Sequence, residues 1–172
     1  MECSNRKLAR FSLYLAIALS LWVLEEFIPR PMPWLKPGFS YIAILLAMLE
    51  FDIKTGFAVG ILRVFLGALI LGRLFSPSFI LSLSGTIVAL IVMSALMSIR
   101  GKFVSLIGIS IAGAFSHLAT QILVAGAIFY RIDAVIWLMP ISTIWAIVAG
   151  AIVGIITERV SLLRFQMKNS RL

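Results

Sequence analysis

From Leu8 to Glu158 the chain is a succession of apolar stretches separated only by short polar breaks. A helix needs roughly 20 apolar residues, rising 1.5 Å each, to cross ~30 Å of hydrocarbon. On that ruler the sequence predicts helices at Leu8–Phe27, Phe39–Phe51, Thr55–Leu74, Ser78–Ile99, Phe103–Tyr130 and Ala134–Glu158. The second, with 13 residues, is expected to be tilted, extended by its neighbours or incompletely spanning. A hydrophobic share of 62% and a mean hydropathy of +1.11 fit no soluble class. The expected fold is an all-α integral membrane protein: six transmembrane helices in one bundle over residues 1–160, with an external proline-rich loop at 28–38 and a basic tail at 161–172. Arg6, Lys7 and Arg10 ahead of an apolar run resemble a signal peptide, but further apolar spans follow at once, so this segment reads as a retained first helix.

The net charge of +8 is spread between the apolar segments rather than gathered for nucleic acid. Arg6, Lys7, Arg10, Lys54, Arg100, Lys102, Arg159, Arg164, Lys168 and Arg171 fall on one side of a six-span arrangement, and Arg30, Lys36, Arg73 and Arg131 on the other. Cationic loops stay inside, which places both termini in the cytoplasm and the loop outside. Prolines at 29, 31, 33 and 37 make that loop stiff and extended, either a spacer with an interfacial Trp34 or a lid over an outward-facing cavity.

Catalytic signals are poor. The seven acids form no paired aspartate motif for magnesium, no glycine-rich loop ends in Lys-Ser or Lys-Thr, and there is no Gly-x-Ser-x-Gly elbow. One cysteine and one histidine provide no disulfide framework or metal cluster, so no metal and no cofactor is expected.

Binding signals are better. Arg63 lies in the middle of Thr55–Leu74, among Gly56, Gly60 and Gly67. A guanidinium cannot shed its charge, and at mid-membrane it costs at least ~2.5–3.5 kcal/mol on insertion scales. An internal partner or an anionic ligand has to offset that cost. His117 and Gln121 share one helix face with Ser110 and Ala114, forming either a helix–helix hydrogen bond or, with Arg63, a polar pocket. Ser82 and Ser84 either bond back to their own helix or face a ligand. Glu25 and Glu26 end the first helix at the outer boundary, where one can pair with Arg30; Glu26 reads as solvated and Glu25 as ambiguous. The rows Ser12-Ala16-Ser20 and Ala146-Gly150-Gly154 permit close helix approach, for internal packing or for a partner helix.

Four stretches carry a resemblance to a known family: Ile28-Pro-Arg-Pro-Met-Pro-Trp-Leu-Lys-Pro-Gly-Phe-Ser40, Leu62-Arg-Val-Phe-Leu-Gly67, Phe75-Ser-Pro-Ser-Phe-Ile-Leu-Ser-Leu-Ser-Gly85 and Gly108-Ile-Ser-Ile-Ala-Gly-Ala-Phe-Ser-His117. Together, over about Leu24 to Gly154, they resemble the bacterial membrane family labelled heptaprenyl diphosphate synthase component I or Gx transporter. That family is grouped with the substrate-binding S components of energy-coupling factor (ECF) vitamin transporters. The resemblance implies a subunit, in a bacterial or archaeal cytoplasmic membrane, that binds a small molecule under an external loop and works with a coupling subunit and two ATPases. Arg63, His117, Gln121, Ser82, Ser84, Trp34, Lys36 and Glu25 would then contact substrate, and Ser12, Ala16 and Ser20 a partner helix. The chain departs from the family pattern at Tyr41 and Leu118, where the pattern has Asn, which removes polar groups from the expected pocket.

The reading adopted is an S component for a vitamin-like, anionic or aromatic compound, without catalysis of its own. A membrane accessory subunit of a polyprenyl diphosphate synthase, and a ligand-free structural subunit, are the alternatives. The first predicts a soluble, aspartate-rich partner.

Overall fold

A computed structural model describes residues 2–28, 36–101, 104–129 and 132–170. They form six helices: α1 Glu2–Phe27, α2 Ser40–Glu50, α3 Ile53–Ile70, α4 Pro77–Ser98, α5 Leu106–Phe129 and α6 Ile132–Asn169. No strand occurs among the described residues; Arg100 and Val104 form an isolated bridge. Five helices are long and apolar enough to cross a membrane, and α2 is not.

The 11 residues of α2 reach about 17 Å, roughly half the hydrocarbon thickness. Its residues Ala43 through Met48 are all buried, as expected for a helix that is apolar all round. It sits inside the bundle, against α1, α3 and α6. Arg63, Thr86 and His117 stand around its first turn. From those levels α3 continues to Ile70, α4 reaches back to Pro77 and α5 runs on to Phe129, about 10–18 Å further. The short helix therefore leaves the middle of that end of the bundle open.

Local signals set the other boundaries. Asp52 caps α3, accepting the Thr55 amide at 2.6 Å, and hydrogen bonds from the Thr55 hydroxyl and then that amide hold its carboxyl below the usual aspartate range. The far end of α3 closes early, at Ile70 rather than Leu74. Gly72 there takes a φ of +63°, with Gly72 N–H donating to Leu69 and Arg73 N–H to Ala68, a Schellman turn. Ser76 caps α4, with Pro77 in its first turn. α6 runs eleven residues past the expected Glu158. Neither Gly nor Pro interrupts it there, and Arg164 donates to Glu50 and to the Tyr14 hydroxyl, tying the extension to α2 and α1.

Glycines set how closely the helices approach. A Cβ at Gly150 would lie 2.6 Å from the Ile111 Cα, and one at Gly154 2.7 Å from the Ile107 Cα, so the Ala146-Gly150-Gly154 row is internal packing between α6 and α5. Ser12, Ala16 and Ser20 are exposed instead, because α1 turns Tyr14, Ala18, Trp22 and Glu25 inward. That row is left for lipid or a partner helix.

Gly150→Ala should cost about 1–3 kcal/mol of stability through overpacking, read as an earlier thermal transition in detergent. For Asp52, a depressed carboxyl pKa gives stability that is full above the unfolded value of about 3.9 and lost as pH falls through the folded value. The gap in melting temperature between the parent and Asp52→Ala should thus be widest near neutrality and close in acid.

Candidate functional site

Above the first turn of α2 lies a cavity of about 380 Å³, walled by α1, α3, α4, α5 and the stretch from Lys36 to Tyr41. Arg63 is 2% exposed and lies at its base. Its guanidinium donates to the Ser40 hydroxyl and, at 3.1 Å, to the Thr86 hydroxyl, and it sits 5.0 Å from the centre of the Tyr41 ring. Its Nε–H has no hydrogen-bond partner among the described residues.

Glu25 is the expected site residue whose role the sequence left open. It is 1% exposed, and it accepts the Ser40 backbone N–H at 3.3 Å. Phe39, at the cap position of α2, makes no side-chain cap bond. Glu25 supplies from α1 what α2 lacks at its own start, a carboxylate at the positive end of a helix. Ser40 thereby joins the acid to the cation: backbone to Glu25, hydroxyl to Arg63.

Tyr41 joins the second half of the site. Its hydroxyl reaches His117 Nδ1 at 3.0 Å and Thr86 at 3.4 Å, and its ring meets the imidazole edge-on at 5.6 Å. The loss of polarity expected from Tyr41 is therefore overturned: the phenol supplies a hydroxyl in place of an amide. Leu118 does make its part of the wall apolar. His117 and Gln121 reach the cavity beside Gly85, where a Cβ would meet His117 at 2.9 Å and Gln121 at 3.0 Å. Gln121 is 8% exposed and its Oε1 has no partner among the described residues. A second hollow of about 30 Å³, room for roughly one water, lies between the start of α2, α5 and α6, with Ser110, Ala114 and His117 in its wall.

At the rim, Lys36 pairs with Glu26 and stands 4.8 Å from the centre of the Trp22 ring, while its carbonyl accepts the Trp145 Nε1–H at 3.2 Å. Glu26 also faces Arg73 at 3.6 Å, so it is paired rather than simply solvated. These bonds fasten the end of the loop to both α1 and α6.

The structure thus brings together Arg63, His117, Gln121, Ser82, Lys36 and Glu25 around one cavity. Ser84 is not among them: its hydroxyl bonds back to the Leu81 carbonyl at 3.1 Å. Trp34 and Arg30 lie outside the described residues. Ser40, Tyr41 and Thr86 were missed as site residues. The usable signal was the demand of Arg63 for hydroxyl acceptors, which Ser40 at the loop exit and Thr86 beside Gly85 were placed to meet.

Glu25→Gln and Arg63→Met should each cost about 3–5 kcal/mol, because each strands a buried charge. The double variant should cost less than the sum of the two, a coupling measurable by thermal or denaturant unfolding in detergent.

The model of a family described as heptaprenyl diphosphate synthase component I matches residues 14–160, most of the chain. No curated protein and no solved structure matches it.

Proposed function

Because the chain belongs to the heptaprenyl diphosphate synthase component I family, we propose that it is a non-catalytic membrane subunit of a polyprenyl diphosphate synthase complex. The family match carries this reading and favours it over the importer subunit. Prenyl elongation needs clustered carboxylates to hold magnesium on a diphosphate, and the partner would supply them. Of the acids in this chain, Glu25 and Glu26 are engaged at the cavity, Glu50 is engaged by Arg164, and Asp52 caps a helix. The role left to this subunit is to hold a soluble catalytic partner at the membrane and to bind a small molecule in the cavity.

A second reading is favoured by the cavity itself. A 380 Å³ space over a buried cation, with the end of the loop fastened at its rim by the Lys36 contacts, suits the S component of an ECF-type importer, which needs a ligand pocket and a partner surface. A coupling subunit and two ATPases would then be the partners. In either reading both termini are cytoplasmic and the cavity opens outward. The exposed Lys7, Arg10, Lys54, Arg100 and Arg159 support that orientation.

Native membranes solubilised in mild detergent decide between the two. Tagged full-length protein should retain a soluble, aspartate-rich prenyltransferase chain in stoichiometric amount. Recovery of two ATPases with a membrane coupling subunit, and no prenyltransferase, would replace the first reading by the second.

A further inference from the structure

We infer that Arg73, at the mouth of the cavity, receives the oxyanion of a small organic ligand, a carboxylate or a phosphate, whose apolar or aromatic body lies against the cavity wall. The inference rests on the reading that the cavity binds a small molecule, and adds to it the sign of the ligand's charge and the residue that meets it.

The charge of the wall is the first ground. Among the described residues it carries three cations, Lys36, Arg63 and Arg73, against two acids, Glu25 and Glu26. A proton taken up by Glu25 or by His117 would only widen that surplus. A cleft with one sign of charge between low-dielectric walls concentrates ligands of the other sign.

The second ground is where the surplus lies. Arg63 is 2% exposed and already donates to the Ser40 and Thr86 hydroxyls, so little of it is open to a ligand. Lys36 donates to Glu26. Arg73 is less engaged: its guanidinium stands 3.6 Å from the same carboxylate, longer than a hydrogen bond, and its side chain is 55% exposed. That side chain makes no hydrogen bond among the described residues. Its planar fork of N–H donors is therefore available, and it matches the paired oxygens of a carboxylate or phosphate. An anion that takes this place leaves Glu26 its bond to Lys36, so the end of the loop stays fastened.

The third ground is the setting of Arg73. Its N–H donates to the Ala68 carbonyl at 2.8 Å, and its own carbonyl accepts the Ser76 hydroxyl at 2.7 Å. With the backbone held on both sides, only the side chain has to be ordered on binding. Ala68 belongs with Val64 and Phe79 to a buried apolar cluster, and all three line the cavity. The residue that offers a free cation is thus bonded directly to the apolar wall. A ring or hydrocarbon carrying one anionic group can meet both at once.

The test uses the full-length protein in detergent with matched neutral and anionic compounds: nicotinamide and nicotinate, uracil and orotate, riboflavin and its 5′-phosphate, geraniol and geranyl diphosphate. Thermal shift and titration calorimetry give the dissociation constants. In at least one pair the anionic member should bind at least about tenfold more tightly than the neutral one, as a charge-assisted pair implies. Which pair responds tells carboxylate from phosphate. Arg73→Gln should abolish that preference while leaving the melting temperature without ligand and the affinity for the neutral member unchanged. Arg73→Lys, which keeps the charge and loses the fork, should retain part of it. Neutral members that bind as tightly as the anionic ones, or a preference undiminished in Arg73→Gln, overturn this inference and leave a ligand-binding cavity standing. Binding by none of the compounds removes the cavity reading itself, and this inference with it.

Discussion

A guanidinium that cannot lose its charge is buried in the apolar part of this bundle, and much of the surrounding architecture answers to it. Arg63 is engaged by two hydroxyls, one aromatic face and, through Ser40, one carboxylate, with its Nε–H left without a partner among the described residues. These groups come from three helices, α1, α2 and α4, around the arginine of α3. None of them would hold an arginine alone, since a buried charge needs both an opposite charge and hydrogen bonds to offset its desolvation. The position of Arg63 thus fixes how α1, α2, α3 and α4 meet.

The half-length α2 is the structural consequence. For Ser40 to stand between Glu25 and Arg63, the chain has to begin its second helix below the ends of α3, α4 and α5. A helix begun there exposes backbone N–H groups inside the bundle, which no lipid could satisfy. Glu25 accepts one of them, and the Gly38 and Phe39 carbonyls accept the next two. One early start therefore does two things: it creates an anion site that an internal acid fills, and it leaves open space above. Glycines bring the walls in. Gly67 lets the Trp22 ring lie against α3, and Gly85 lets His117 and Gln121 lie against α4.

How much of this could be read from the sequence follows from the kind of signal each feature leaves. Hydropathy marks long apolar helices directly, so α1, α3, α4, α5 and α6 were legible, and even the brevity of the second segment was visible. Helix ends were less so, because a Schellman turn at Gly72 and an uninterrupted run past Glu158 depend on backbone bonds and on the distant pairing of Arg164 with Glu50. Arg63, His117 and Gln121 stood out because each is polar in apolar surroundings. Glu25 was placed among the site residues with its role left open, since an acid at the end of a hydrophobic run can be solvated or buried until the fold brings the start of another helix over it. Tyr41 was misjudged for a related reason: read as the loss of an amide, it proved to carry a hydroxyl to Thr86 and His117. Such roles belong to contacts between residues far apart in the chain, and no local pattern records them.

A site whose buried cation is already engaged by neighbouring side chains behaves differently when empty from one built around a bare cation. An unpaired Arg63 would bind an anion tightly, but the empty state would carry an uncompensated buried charge and be poorly stable. With the Ser40 and Thr86 hydroxyls bonded to it and Glu25 on the other side of Ser40, Arg63 is held before any ligand arrives, so the empty state does not depend on a ligand for its stability. That suits a membrane subunit whose work is to capture and pass on, or to sense, a small molecule on behalf of separate partners.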